Sequence, residues 1–144
     1  MSLTAYIVCK GAADAIEFYK AAFGAVEDFR MTDPSGDGRL GHAELDIGGG
    51  RLMLADEYPD FGAISPDTLG GTPVSLHLVV DDVDAVAAAA DRAGGTILRP
   101  PTDQSFGERN CLVQDPFGHR WFLAQVTEDL SGEEMQKRWD DEAG

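Results

Sequence analysis

The sequence predicts an α+β fold built from two copies of a β-α-β-β-β unit. The first observation behind this is an internal repeat. At an offset of 70 residues, 14–16 (DAI) align with 84–86 (DAV), and at an offset of 69 residues, 54–55 (LA) align with 123–124 (LA). The second observation is that both halves contain segments with strand periodicity and one segment with helical periodicity. Because the matches keep their order and nearly one offset, we interpret the halves as two similar structural units.

The first unit is predicted to span residues 4–56. Residues 4–9 (TAYIVC) are typical of a strand, and the following segment repeats apolar residues at helical spacing until Gly24 ends the helix. The turn sequences DPSGDG and GGG then separate three further segments with strand character. These strands are predicted near residues 26–32, 39–47 and 51–56.

The second unit is predicted to span residues 74–126 and repeats this order. It begins with a strand at 75–80 (SLHLVV), and a helix follows with Asp81 or Asp82 as its N-cap and Gly94 or Gly95 as its C-cap. Its remaining strands are predicted near residues 96–99, 109–114 and 119–126.

Two segments lie outside the repeated units. Residues 57–73 are rich in Pro, Gly and Asp and also carry Tyr58, Phe61 and Ile64, which indicates a lid or a loose linker. Residues 131–144 predict a terminal amphipathic helix with Met135 and Trp139 on one face. The predicted organisation is therefore one domain over residues 1–130, followed by this helix and tail.

Composition excludes several functional classes. The chain has 144 residues, and its 43% of apolar residues is enough for the core of one domain. Its formal net charge of −15 would repel both the phosphates of nucleic acids and anionic lipid surfaces, so neither is expected as a partner. No apolar run approaches the length of a membrane span and no signal peptide is visible, so we expect a cytoplasmic protein. Cys9 and Cys111 are interpreted as buried thiols.

Four segments together resemble a known family. GAADAIEFYKAAFGA, GHAELDIGG, LGGTPVSLHLVVDDVDA and DPFGHRWFLAQVTEDLS are similar to the PhnB-like branch of the vicinal oxygen chelate superfamily, which includes glyoxalases, bleomycin-resistance proteins and dioxygenases. The resemblance covers about residues 4–131, and the last segment is the most specific. It implies eight strands that curl into an open cup with helices outside, usually in a homodimer, and small-molecule chemistry or binding inside the cup.

Strand alternation predicts which side chains line the cup, because successive side chains point to opposite faces. If Gly48 and Gly49 form a two-residue turn, Glu44 faces Met53 and His42 faces Ala55, all on the cup side. The purely apolar face of each strand should instead pack under the helices, with Ile7, Leu54, Leu76, Leu78 and Trp121 buried there. The predicted ligand-binding residues are Tyr6, His42, Glu44, Met53, Ser75, His77 and Phe122.

Metal-dependent members of the family carry one His or Glu on the first and last strand of each unit. The resemblance places these positions at Thr4, Met53, Ser75 and Phe122, none of which is a good ligand for a divalent ion. We therefore expect no metal and no cofactor. His119 belongs to the DPFGHRW turn, where a structural role is expected.

The leading hypothesis is a metal-independent protein that binds a small organic molecule and sequesters, for example, an antibiotic or a metabolite. The alternative is a glyoxalase- or dioxygenase-type enzyme. It would use either a displaced metal site at His42, Glu44 and His77, or Glu44 as a general base whose pKa is raised in a cup that excludes water. A homodimer that completes the cups is expected, with the C-terminal helix packed either across the interface or on its own chain.

Overall fold

Helices and strands follow the predicted order in the computed structural model, which describes residues 1–144. The first unit contains β1 (Ala5–Val8), α1 (Ala12–Phe23), β2 (Val26–Thr32), β3 (Leu40–Ile47) and β4 (Gly50–Ala55). The connecting segment contains a 3-10 turn (Pro59–Phe61) and the short helix α2 (Pro66–Leu69). The second unit contains β5 (Ser75–Val79), α3 (Val83–Arg92), β6 (Thr96–Gln104), β7 (Glu108–Gln114) and β8 (Arg120–Val126). Helix α4 (Gly132–Ala143) ends the chain.

Each unit folds into its own four-stranded sheet. The strand orders are β1-β4-β3-β2 and β5-β8-β7-β6, so the two sheets have the same topology. In each sheet the first and last strands of the unit pair in parallel, and the other pairs are antiparallel. The sheets do not close into a barrel, and the α+β fold with two βαβββ units that form an open cup is confirmed.

The hairpin between β3 and β4 has the predicted register. Ile47 pairs with Gly50 and Glu44 with Met53. Both turn residues have positive φ, 57° at Gly48 and 80° at Gly49, as a type I′ turn requires. This register places Leu45 and Leu52 on the buried face, which leaves Glu44 and Met53 together on the concave face.

A shared core joins the two units. Helices α1 and α3 pack against each other, and the buried apolar cluster contains residues of both units, such as Ile16 from α1 and Ala90 from α3. Of the five side chains predicted to lie under the helices, Ile7, Leu54 and Trp121 are buried. Leu76 and Leu78 are partly buried and pack against the core. The face assignment of these strands is therefore confirmed.

The N-terminus of each main helix is held by a side chain from the end of the last strand of its unit. Asp56 Oδ1 accepts hydrogen bonds from the backbone N–H groups of Gly11 and Ala12, both at 2.9 Å. In the second unit, Gln125 Oε1 accepts from the Val83 N–H at 3.0 Å. The two acceptors occupy equivalent positions, 69 residues apart, and both satisfy orphan donors at a helix start.

The predicted helix ends are mostly correct. Asp82 is the N-cap of α3 and accepts from the Ala85 N–H at 3.1 Å, and Gly24 ends α1 with φ 69°. For α3 the predicted glycine cap is wrong by one position, because Ala93 is the C-cap in a right-handed conformation. Gly94 follows it with φ 109°, so the left-handed turn comes one residue after the cap.

Asp115 organises the turn before β8 and ties the two units together. Its Oδ2 accepts from Tyr19 Oη at 2.5 Å and from Trp121 Nε1 at 3.0 Å, and its Oδ1 accepts from the backbone N–H of His119 at 3.0 Å. His119 Nε2 donates to the Val8 carbonyl at 2.8 Å, which links this turn to β1. His119 therefore has the structural role predicted for it.

Strand β6 is longer than the sequence predicts, and helix α4 lies where the sequence predicts it. β6 continues to Gln104 through Pro100 and Pro101, which is tolerated because β6 is an edge strand and its register shifts there. Helix α4 contacts its own chain, since Arg138 Nη1 donates to the Ser105 carbonyl at 3.1 Å and pairs with Glu128 at 2.9 Å. No helix is long and apolar enough to cross a membrane.

Candidate functional site

A chain of polar side chains crosses the concave face of the first sheet, here called the first wall. Tyr6 Oη lies 2.8 Å from His42 Nδ1, and His42 Nε2 lies 2.9 Å from Glu44 Oε2. Arg51 Nη1 donates to Glu44 Oε1 at 2.5 Å and lies 3.0 Å from an oxygen of Asp28. Three of the predicted site residues, Tyr6, His42 and Glu44, are thus connected by direct hydrogen bonds.

The partners of neutral His42 fix its tautomer. A carboxylate can only accept, so the proton of the imidazole lies on Nε2 and is donated to Glu44. Nδ1 is then the acceptor for the Tyr6 hydroxyl. Burial, with the charge of Glu44, raises the pKa of Tyr6, so this hydroxyl keeps its proton at neutral pH and acts as a donor.

Glu44 does not have the raised pKa expected of a buried general base. The hydrogen bond from His42 and the guanidinium of Arg51 lower the pKa of its carboxyl, and they outweigh the opposing effect of burial. Both carboxylate oxygens are already occupied by these partners. The prediction of Glu44 as a base with a raised pKa is therefore wrong, and its role in this geometry is to orient His42.

The concave face of the second sheet, the second wall, carries an aromatic stack. His77 lies against Phe122 with ring centroids 5.3 Å apart and an interplanar angle of 17°. The guanidinium of Arg99 lies 5.8 Å from the Phe122 centroid, within cation–π range, and Nη1 donates to the Asn110 carbonyl at 3.2 Å. Ser75 is exposed at the start of β5, two residues before His77, and pairs with Arg120.

Sequence reasoning missed Arg99 because β6 was predicted to end there. The strand continues with register shifts on both sides of Arg99, which pairs with Leu112. Leu112 in turn pairs with Phe122, so all three residues lie on the concave face. Plain alternation from the start of the strand could not reveal this, since an extra residue reverses the face of those that follow.

A small cavity lies between the two sheets and is lined mostly by side chains of their buried faces. Its volume is about 180 Å³, and its lining includes Arg51 from the first wall, His77 from the second wall, and Leu52 and Trp121 beneath them. Of the predicted ligand-binding residues, only His77 borders this cavity.

A larger cavity opens at the other end of the first wall. It has a volume of about 420 Å³ and is lined by Tyr6 and Met31 of the sheet and by Tyr58 and Phe61 of the connecting segment. Tyr58 is fixed there by a 2.8 Å hydrogen bond from its hydroxyl to Asp33. The segment predicted as a lid or linker thus forms one side of a cavity. The aromatic residues in its sequence, Tyr58 and Phe61, were the feature that could predict this role.

The residues at the family's metal positions do not fit a metal centre. Met53 lies beside Tyr6, and Phe122 is committed to the stack with His77. No group of three or more His, Cys, Asp or Glu side chains could hold a metal ion. The displaced site at His42, Glu44 and His77 is not formed, because His42 is held between Tyr6 and Glu44 on the other wall from His77.

Comparison with known proteins places the chain in a family. Residues 3–123 match the family model of the Glyoxalase/Bleomycin resistance protein/Dioxygenase superfamily. The chain belongs to this superfamily. The uncharacterized protein Rv0887c of Mycobacterium tuberculosis is 44% identical over 138 residues, which cover 94% of this chain and 80% of that protein.

Solved structures agree with this membership. TioX from Micromonospora sp. ML1 superposes with a TM-score of 0.68 at 25% identity and covers 88% of this chain and 98% of TioX. The PhnB protein from Bacillus cereus has a TM-score of 0.66 at 18% identity and covers 88% of this chain and 100% of that chain. The second likeness shows the fold alone.

Proposed function

We propose that this superfamily member binds a small organic molecule in its cup without a metal ion. The observation that carries the proposal is the chemistry at the family's metal positions, where Met53 and Phe122 offer a thioether and a phenyl ring instead of carboxylates. The aromatic cavity of about 420 Å³ beside Tyr6 has the size and lining typical of small-ligand sites. Candidate contacts are Tyr6, His42, Glu44, Met53, Ser75, His77 and Phe122.

The proposed binding unit is a homodimer in the cytoplasm. The concave faces expose several large apolar side chains, including Phe29 (46% exposed), Met31 (57%), Val79 (61%) and Val126 (61%), and a second copy of the same surface would cover them. Beside α4 an open groove of about 420 Å³ lies between Phe106, Met135 and Trp139, which supports α4 as part of the interface. The free thiols Cys9 and Cys111 suit a reducing compartment.

A second candidate function is metal-independent acid–base catalysis, and the chain of hydrogen bonds from Tyr6 through His42 to Glu44 favours it. Catalytic triads combine the same three groups: a hydroxyl, an imidazole that accepts the proton of the hydroxyl, and a carboxylate that orients the imidazole. In such a reaction Tyr6 would pass its proton to His42 Nδ1 as it receives a proton from the substrate. Glu44 would stabilise the resulting imidazolium.

Metal analysis combined with ligand screening tests the main proposal. Protein purified without chelator should contain no stoichiometric divalent ion, and EDTA should not change ligand binding. A thermal-shift screen of antibiotics, quinones and thiol conjugates should give hits, because a ligand at about 100 times its Kd stabilises the fold by about 2.7 kcal/mol. A stoichiometric metal ion whose removal abolishes binding would refute the proposal.

Paired variants separate the two functions. Tyr6→Phe and His42→Gln should weaken a ligand that lies in the cavity beside Tyr6, while Arg92→Gln on the outer helix α3 should leave its affinity unchanged. If a hit is turned over, His42→Gln should lower kcat by a larger factor than it raises KM. Hits that bind all these variants with equal affinity would exclude the first wall as the site.

A further inference from the structure

Arg99 has a charge that this chain does not neutralise. Five of the eight arginines form ion pairs with carboxylates, and Arg92, Arg99 and Arg120 do not. Arg92 and Arg120 are exposed to solvent, whereas Arg99 is half-buried on the second wall. A partly desolvated guanidinium without a carboxylate is unusual in a chain with 26 acidic residues.

The contacts of Arg99 hold its position and leave most of its donors unused. Its position over Phe122 and the bond from Nη1 to the Asn110 carbonyl hold the guanidinium at the rim of the aromatic stack. A guanidinium has five N–H donors, and the others of Arg99 have no acceptor within the protein. They are available for a bound group that presents oxygen atoms.

The first wall also contains an arginine, but its charge is neutralised by carboxylates. There Arg51 is compensated by both Glu44 and Asp28, so this arginine has no charge left for a ligand. The residue equivalent to Arg99 in the first sheet is Phe29, which pairs with Glu44 as Arg99 pairs with Leu112. The repeated fold therefore does not require an arginine at this position. A contact with a bound group explains the presence of Arg99 better than a role in the fold.

We propose that Arg99 anchors the anionic group of the ligand and that the ligand is a planar organic anion, such as an aromatic or conjugated carboxylate. This inference rests on the proposed binding function. The exposed imidazole of His77, stacked on Phe122, provides aromatic surface for the conjugated part, and the guanidinium over the Phe122 ring binds carboxylates with favourable geometry. A net charge of −15 otherwise disfavours anions, so a local cation is needed.

Matched carboxylates and carboxamides test the charge requirement. Benzoate, cinnamate and 2-naphthoate are compared with their amides by calorimetry and thermal shift. At least one carboxylate should bind the wild-type protein about tenfold tighter than its amide, since a charge-assisted hydrogen bond contributes this much. Arg99→Gln should remove that difference and leave amide binding unchanged, Arg99→Lys should retain part of it, and Arg92→Gln should retain all of it.

The outcomes distinguish this inference from the proposed function. If amides and carboxylates bind equally well, or if Arg99→Gln leaves carboxylate affinity unchanged, binding stands and the anionic anchor is wrong. If Arg99→Gln weakens the dimer in sedimentation experiments without an effect on carboxylates, Arg99 pairs with a second copy instead. If neither these compounds nor those of the wider screen bind, both proposals fail. Circular dichroism of each variant controls for folding.

Discussion

Replacing Tyr19 with Phe tests how the two units are joined. Tyr19 is fully buried on α1, and its hydroxyl donates to Asp115 at 2.5 Å in the second unit. Burial, together with neighbouring Cys9 and Asp115, raises the pKa of Tyr19 far above its ordinary value, so the hydroxyl remains a donor throughout the stable pH range. Tyr19→Phe keeps the ring and removes one hydrogen bond to a buried carboxylate.

The expected loss in the free energy of unfolding is about 2 kcal/mol. A hydrogen bond to a charged group contributes about 1.5–3 kcal/mol, and the lower half of this range applies because Asp115 keeps Trp121 and backbone N–H donors. For a chain of this size the midpoint of thermal unfolding should fall by about 7 °C.

Urea unfolding followed by circular dichroism measures this loss, and a change in midpoint at constant m value identifies a stability effect. Tyr58→Phe is the control, since its hydroxyl also donates to a carboxylate, Asp33, but at a solvent-accessible position where water can replace it. This prediction would be refuted if Tyr19→Phe lowered the free energy of unfolding by less than about 0.5 kcal/mol, or by no more than Tyr58→Phe does. Either result would show that the hydrogen bond from Tyr19 to Asp115 adds little to the stability of the fold.

Three further predictions concern the cup, the connecting segment and the C-terminal helix. His77→Ala should change the free energy of unfolding by less than about 1 kcal/mol, because His77 is exposed on the second wall; unfolding of this variant would show that it belongs to the core. Donors from Ser65 and Thr68 lower the pKa of Glu57 to about 2, so their stabilising effect is complete above pH 4.5 and is lost as the pH falls towards 2. Protection of the connecting segment from hydrogen exchange, relative to the intrinsic exchange rate at each pH, should fall over this interval, and Glu57→Gln should remove this loss of protection. Light scattering should show a dimer at micromolar concentration, and removal of residues 131–144 should weaken this dimer. A monomer at all concentrations would contradict the dimer. A dimer that is unchanged by the truncation would exclude only α4 from the interface.

The fold could be predicted from the sequence because local signals and burial agree over most of the chain. Strand alternation in β3 and β4 and two glycines suited to a type I′ turn define one register, and the opposite register would expose Leu45 and Leu52. The repeat then predicts the same topology for the second sheet. The prediction fails in β6, where a proline pair and register shifts interrupt the strand, because the alternation of side chains does not continue across a bulge.

The site could be predicted only in part, because side-chain contacts across strands depend on more than the face of each residue. Alternation placed Tyr6, His42 and Glu44 on one wall, but the sequence does not show that His42 and Arg51 would bind Glu44 and lower its pKa. Without the hydrogen bonds from His42 and Arg51, partial burial alone would have raised that pKa, in line with the sequence-based prediction. Arg99 was missed for a different reason, because its face is determined by a bulge.

The two walls show how a repeated fold can produce an asymmetric site. Positions that support the fold have matching roles in both units, as with Asp56 and Gln125 at the helix starts. Positions on the concave faces differ, since Glu44 corresponds to Leu112 and Phe29 to Arg99. One wall therefore offers a polar chain with its charges paired, and the other offers aromatic surface with an unpaired cation. A ligand that contacts both walls should itself have two chemically different ends.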